Sequence, residues 1–151
     1  MDWKANLITG PDELRALLAT LRRVAVLGMR PERYAYKAAF YVPESLAQAG
    51  VEIVPVPVRD LDVTTILGRP VYHSLAAIPG EIDLVDVFRR SEDIPGHLDD
   101  ILAKRPPAVW FQSGIRNDQV AEALAREGIK VVQDRCLMVD YRRMAAAPSA
   151  R

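Results

Sequence analysis

The chain reads as an α/β protein of the Rossmann-like, doubly wound type: a mostly parallel sheet with helices on both faces. Three observations predict this. Short runs of consecutive apolar residues recur from Val24 onward, as expected of strands covered on both faces. Segments with apolar residues at helical spacing alternate with those runs. The 151 residues suit one domain able to bury a core, and no repeat, low-complexity tract or linker divides them, so 1–151 is read as a single unit.

The first helix is predicted from Pro11 to Leu21. Thr9 is its expected cap, Asp12 and Glu13 fall in its first turn, and Leu14, Leu17, Leu18 and Leu21 share a face. Arg22 and Arg23 suit the negative end of its dipole, so residues 1–22 form a helical extension ahead of the sheet. Val24 to Leu27 is an all-apolar strand ending at Gly28. A helix from about Tyr36 to Ala49 follows, with Gly50 in the C-terminal capping position. The strand Val51 to Val58 carries prolines at 55 and 57, which restrict its ladder.

Thr64 to Ser74 is expected to be irregular, with Val71-Tyr72 a brief strand and Leu75 to Ile78 a helical turn. Ile82 to Phe88 is the next strand, and Gly96 to Lys104 the next helix. Pro106-Pro107 breaks the chain before the strand Ala108 to Gln112. Then come a helix from Asp118 to Glu127, a short strand from Lys130 to Val132 and a helix from Arg135 to Met144. Residues Ala145 to Arg151 read as a frayed tail. Right-handed crossovers restrict the sheet to a doubly wound order such as 3-2-1-4-5.

Lys+Arg and Asp+Glu each number 20, so overall charge predicts no nucleic-acid partner. Any anion binding must come from where the arginines sit. The single cysteine, Cys136, excludes an internal disulfide, and His73 and His97 are too few and too far apart to suggest a zinc cage. Met1 to Ile8 lacks the pattern of a signal peptide, and no uncharged stretch approaches the roughly 18 residues of a membrane span. The expectation is a cytoplasmic protein with no metal and no membrane partner.

Ligands of open parallel sheets bind beyond the carboxyl ends of the strands. Here all four inspected strand ends carry arginine: Arg30 and Arg33, then Arg59, then Arg89 and Arg90, then Arg116. Planar guanidinium forks suit phosphates. Gly28 stands at the first strand-to-helix turn, where missing side-chain bulk lets backbone amides approach a phosphate. The full G-x-G-x-x-G fingerprint is absent. After the second strand, Arg59 favours an extra phosphate, as on coenzyme A or NADP, while the adjoining Asp60 leaves NAD open. Asp83 and Asp86 are read as structural hydrogen-bonding residues. Cys136 is read as a small core residue and His73 as a loop residue.

Several segments together carry a more specific likeness. Val24-Ala25-Val26-Leu27-Gly28, Ile53-Val54-Pro55-Val56, Gly68-Arg69-Pro70-Val71-Tyr72, Asp83-Leu84-Val85-Asp86-Val87-Phe88-Arg89-Arg90, Gly114-Ile115-Arg116-Asn117 and Asp134-Arg135-Cys136-Leu137 occur in this order. The chain thereby resembles the small bacterial CoA-binding-domain proteins, which are similar to the nucleotide-binding domain of the succinyl-coenzyme A synthetase alpha subunit. The resemblance spans about Val24 to Met144.

It implies a coenzyme A pocket on the carboxyl edge. Gly28, Met29, Arg30 and Pro31 would face the nucleotide phosphates, and Arg59 the phosphate of the adenine ribose. Val87, Phe88 and Arg89 would lie beside the ligand, and Gly114 and Ile115 near the pantetheine. Relatives often place a small residue and a serine in the first turn, where this chain has Met29 and Arg30. The phosphorylated histidine of the ligase belongs to a further domain, so ligase activity is not expected.

No catalytic constellation is recognisable, and only Cys136, His73 and Ser113 would serve as nucleophile or acid. The expected function is a non-catalytic coenzyme A or acyl-CoA binding protein: a carrier, sensor or accessory domain, with room for a protein partner. The alternative is an NAD(P)-dependent oxidoreductase or an acyl-CoA-handling enzyme subunit.

Overall fold

The computed structural model describes residues 2–146. Its strands are β1 (Arg23–Leu27), β2 (Glu52–Val56), β3 (Thr65–Ile66), β4 (Arg69–Pro70), β5 (Leu84–Val87), β6 (Ala108–Phe111) and β7 (Lys130–Val132). Its helices are α1 (Pro11–Leu18), α2 (Ala38–Gln48), α3 (Leu98–Lys104), α4 (Asp118–Arg126) and α5 (Leu137–Ala146). Five strands form one sheet in the order β2-β1-β5-β6-β7, every pairing parallel, while β3 and β4 make a separate small hairpin. The doubly wound α/β class read from the sequence is the observed one.

The strand order differs from the 3-2-1-4-5 expectation. Numbered by their order of appearance, the sheet strands run 2-1-3-4-5, because nothing adds a full strand outside β2. The Glu52 amide donates to Arg22 O and the Gly28 amide to Val56 O, so even-numbered residues of β2 serve the β1 side. Pro55 and Pro57 therefore fall on the outer edge, where neither has an amide to offer. Tyr72 donates to Pro55 O at 3.0 Å, and Val71-Tyr72 runs beside β2 without becoming a strand.

Strand alternation sends apolar residues to two cores. Val24, Val26, Leu84, Ala108 and Trp110 join Leu14, Leu17 and Leu18 of α1, Phe40, Val42 and Leu46 of α2, and Leu137 of α5. Ala25, Leu27, Val85, Val87, Val109 and Phe111 face Ile101 of α3 and Val120, Ala121 and Leu124 of α4. Residues before β1 close the far edge: Leu7 bridges Val131 in parallel, the Ile8 amide donates to Val131 O, and Asn6 Nδ2 donates to Ala125 O.

Several boundaries shift from the sequence reading for local reasons. Gly10, not Thr9, occupies the cap of α1, and the helix ends at Leu18, after which Thr20 and Leu21 donate to Leu17 O and Leu18 O in tighter turns. Arg23 Nε donates to Glu52 Oε2 at 2.8 Å and its Nη1 to the Pro79 and Glu81 carbonyls. Asp83 accepts the Arg22 and Arg23 amides at 2.9 and 2.8 Å, the structural role expected of it. Between β5 and α3 a 3-10 turn, Ser91–His97, replaces part of the predicted loop and helix start. Helix α5 extends to Ala146; the rest of the expected tail, 147–151, lies outside the described residues.

Asp86 departs from its expected hydrogen-bonding role. It stands mid-strand in register with Val26 and Trp110, is 1% exposed, and neither carboxyl oxygen has a partner. Burial pushes its pKa well above the ordinary value of 3.8. The folded chain keeps that proton where the unfolded chain has released it. Stability should therefore fall as pH rises above about 4, with a limiting slope of about 1.4 kcal/mol per pH unit, until the buried carboxyl itself ionises. Thermal melts across pH 4–9 should show this slope, and Asp86→Asn should remove it; an unchanged slope in the variant would assign the dependence elsewhere.

Candidate functional site

The carboxyl ends of β1, β2, β5 and β6 surround a cleft of about 490 Å³. Seven of the ten residues carried over from the family resemblance line it: Gly28, Arg30, Arg59, Phe88, Arg89, Gly114 and Ile115. The other three do not. Met29 is fully buried in the α2-side core, Val87 is fully buried in the opposite core, and Pro31 is also buried. Lys37, Ala39, Val58, Arg90, Ser91 and Glu92 line the cleft as well.

Gly28 is required by space. Its φ is +87°, and a Cβ there would stand 2.3 Å from Phe88 O and 3.1 Å from Arg89 Cδ. The β1 turn thus lies directly against the backbone leaving β5. Its amide is already committed to Val56 O at 2.8 Å. The Arg30 amide donates to Ala39 O at 3.2 Å, and the origin of that bond is Pro43 inside α2. With no N–H, Pro43 cannot take up the carbonyl four residues back, and that carbonyl holds the loop instead. Both of these turn amides are therefore bonded internally and are not free to meet a phosphate.

The side-chain charges divide in a similar way. Arg30 Nε donates to Asp60 Oδ2 at 2.7 Å, and its guanidinium lies 4.1 Å from the Tyr34 ring centre. Arg33 Nη2 donates to Asp60 Oδ1 at 3.2 Å and to Asp62 Oδ1 at 2.8 Å, and the bond to Asp62 raises the Arg33 pKa and lowers that of Asp62. Arg89 Nε donates to His97 Nε2 at 3.2 Å, so His97 accepts as a neutral ring. Burial, and then the Arg89 charge, hold the His97 pKa below its ordinary value. Arg90 pairs with Asp93 at 3.0 Å.

Arg59 and Lys37 are different. Both are exposed, both line the cleft, and neither forms an ion pair among the described residues. Lys37 also precedes α2, whose first turn carries no acidic residue. The positive end of that helix's peptide dipoles adds to the same rim. Sequence reasoning found Arg59 by its place after a strand. It missed Lys37 because the helix was expected to start at Tyr36, which would have put Lys37 inside it.

The last strand braces the Ile115 side of the cleft. Asp134, at φ +56°, accepts the Gly114 amide at 2.6 Å, and its own amide donates to Ile115 O. Arg135 grips the nearly buried Asp140 through bonds of 2.6 and 2.9 Å, and Trp110 Nε1 donates to Arg135 O at 2.7 Å. Gln112 Oε1 accepts the Leu137 amide at the start of α5. Cys136 packs against the core as expected. The Asp134-Arg135-Cys136-Leu137 segment is thus a scaffold for the 114–115 loop.

Residues 22–142 match the family model described as a CoA binding domain. The chain belongs to the CoA-binding-domain family. It is 35% identical over 131 residues to the uncharacterized protein YneT of Bacillus subtilis (strain 168), spanning 85% of this chain and 92% of that one. Among solved structures it is similar to cell-free ID.343 from Thermus thermophilus, with 38% identity and a TM-score of 0.84, covering 90% of this chain and 99% of that one. A protein from Pyrococcus horikoshii OT3 aligns at 25% identity and a TM-score of 0.81, covering 91% and 94% of the two chains. Among the described residues, no helix is long and apolar enough to cross a membrane.

The contact at Gly28 yields a direct test. Gly28→Ala should lower stability by about 3 kcal/mol, since the new methyl meets backbone rather than a side chain that can swing away. Chemical denaturation would measure it. Gly114→Ala, where nothing lies within 4 Å of the added Cβ, should cost less, only the strain of its φ of +80°.

Proposed function

We propose that the chain binds coenzyme A or an acyl-CoA thioester in the carboxyl-edge cleft as a non-catalytic carrier, sensor or accessory domain. The observation that carries this reading is the pair of unneutralised cations, Arg59 and Lys37, on the rim of a cleft in a member of the CoA-binding-domain family. Charge-assisted bonds from an exposed guanidinium suit a phosphate monoester. Arg59 is assigned to the phosphate of the adenine ribose, and Lys37 with the start of α2 to the pyrophosphate. Phe88 and Ile115 offer apolar surface to the uncharged pantetheine, and Arg89, oriented by His97, stands between these regions.

The state of Asp60 weighs against NAD as the ligand. An acidic residue after the second strand serves NAD by accepting from the ribose diol. Both Asp60 oxygens already accept from Arg30 and Arg33, and the residue is only 6% exposed. The candidate nucleophiles give an enzyme reading little support. Ser113 is exposed on its loop, and Cys136 packs into the α5 scaffold.

Calorimetry with coenzyme A, dephospho-coenzyme A, NAD and NADP tests the proposal. Coenzyme A should bind most tightly, and its affinity should fall as salt rises. Arg59→Ala should weaken coenzyme A about tenfold while leaving dephospho-coenzyme A nearly unchanged. Tight NAD binding without coenzyme A binding would overturn the reading.

A further inference from the structure

On the opposite face of the sheet from α2, beyond the ends of β1 and β2, lies a second cavity of about 470 Å³. Leu27, Val56, Val58 and Leu61 give it an apolar surface, and His73 and His97 lie at its polar end. Val58 lines this cavity and the nucleotide cleft alike. Arg89 lines the cleft, and its Nε bonds His97, which lines the cavity. The two spaces are therefore neighbours, separated by Val58 and the Arg89–His97 contact.

Their chemistry is opposite. The cleft is rimmed by Lys37, Arg59, Arg89 and Arg90, whereas no lysine or arginine lines the second cavity among the described residues. Its polar groups are largely occupied. Asp100 accepts the Leu75 and Ala76 amides at 2.7 and 3.0 Å, and His97 Nε2 is held by Arg89. At its mouth Leu61 is 63% exposed, one of few large apolar side chains so exposed.

We infer that this second cavity takes the acyl end of an acyl-CoA thioester, and that it selects short uncharged aliphatic acyl groups over those ending in a carboxylate. The inference rests on the coenzyme A reading of the adjoining cleft. An aliphatic chain continuing from the pantetheine at Phe88 past the Arg89–His97 contact would exchange water for Leu27, Val56 and Leu61. A terminal carboxylate would meet no cation there and would face the Asp100 carboxylate. The preferred acyl class is thus aliphatic and uncharged, and differs from a succinyl thioester.

Calorimetry on the full chain tests this with coenzyme A, acetyl-, butyryl- and succinyl-coenzyme A. Each buried methylene should tighten binding about fourfold, so butyryl should exceed acetyl about fifteenfold, and succinyl should bind more weakly than butyryl. Leu61→Glu and His73→Trp, both at exposed positions, should abolish the butyryl advantage while leaving coenzyme A affinity unchanged. Equal affinity for all four ligands in the wild type would overturn the inference and leave the coenzyme A reading standing. A butyryl advantage that survives both substitutions would also overturn it, by locating the acyl group elsewhere. Failure of coenzyme A itself to bind would overturn both readings together.

Discussion

The approach of Gly28 to the Phe88 carbonyl governs the arrangement of everything at the carboxyl edge. Two central parallel strands, β1 and β5, diverge into their loops at the same level, and the loops touch backbone to backbone. Only a residue without Cβ permits that distance at φ +87°. Phe88 and Arg89 consequently leave β5 beside the first turn, and the cleft opens between that turn and the loops after β2 and β6. Asp134 and Pro43 then fix the flanks, one by holding Gly114 and the other by freeing Ala39 O for Arg30.

This geometry redistributes the positive charge that made the edge conspicuous. Five of the rim arginines, at 30, 33, 89, 90 and 116, spend their hydrogen bonds on Asp60, Asp62, His97, Asp93 and Asp118. They shape loops more than they await a ligand. The charge left to attract an anion is concentrated on Arg59, Lys37 and the start of α2, a smaller and more directional field than a ring of arginines. A neutral His97 between the charged cleft and its apolar neighbour fits the same division.

Much of the fold was legible because the sheet strands are dominated by short apolar runs between turn residues, and parallel sheets need that pattern. The family likeness was legible in Asp83 to Arg90 and Asp134 to Leu137, whose roles prove to be partly structural. Strand order was not legible. It depends on which edge Pro55 and Pro57 occupy, and that follows from register rather than from local pattern. Met29 and Val87 were named as ligand neighbours because they adjoin Gly28 and Phe88 in sequence, yet strand alternation turns Val87 into the core, and the turn at Gly28 sends Met29 into the α2-side core. Lys37 was hidden by a two-residue error in a helix boundary. Asp86 could be guessed as buried, but its lack of any partner is visible only in three dimensions.

The central claim is that the ligand occupies the carboxyl-edge cleft and not the separate hollow of about 300 Å³ between α1 and α5. Mapping backbone amide chemical shifts as coenzyme A is added tests that most directly. The largest changes should fall at Gly28, Lys37 to Ala39, Val58-Arg59, Phe88 to Ser91 and Gly114-Ile115. Changes centred on Leu14, Leu18 and Arg143, with the strand ends undisturbed, would contradict the account.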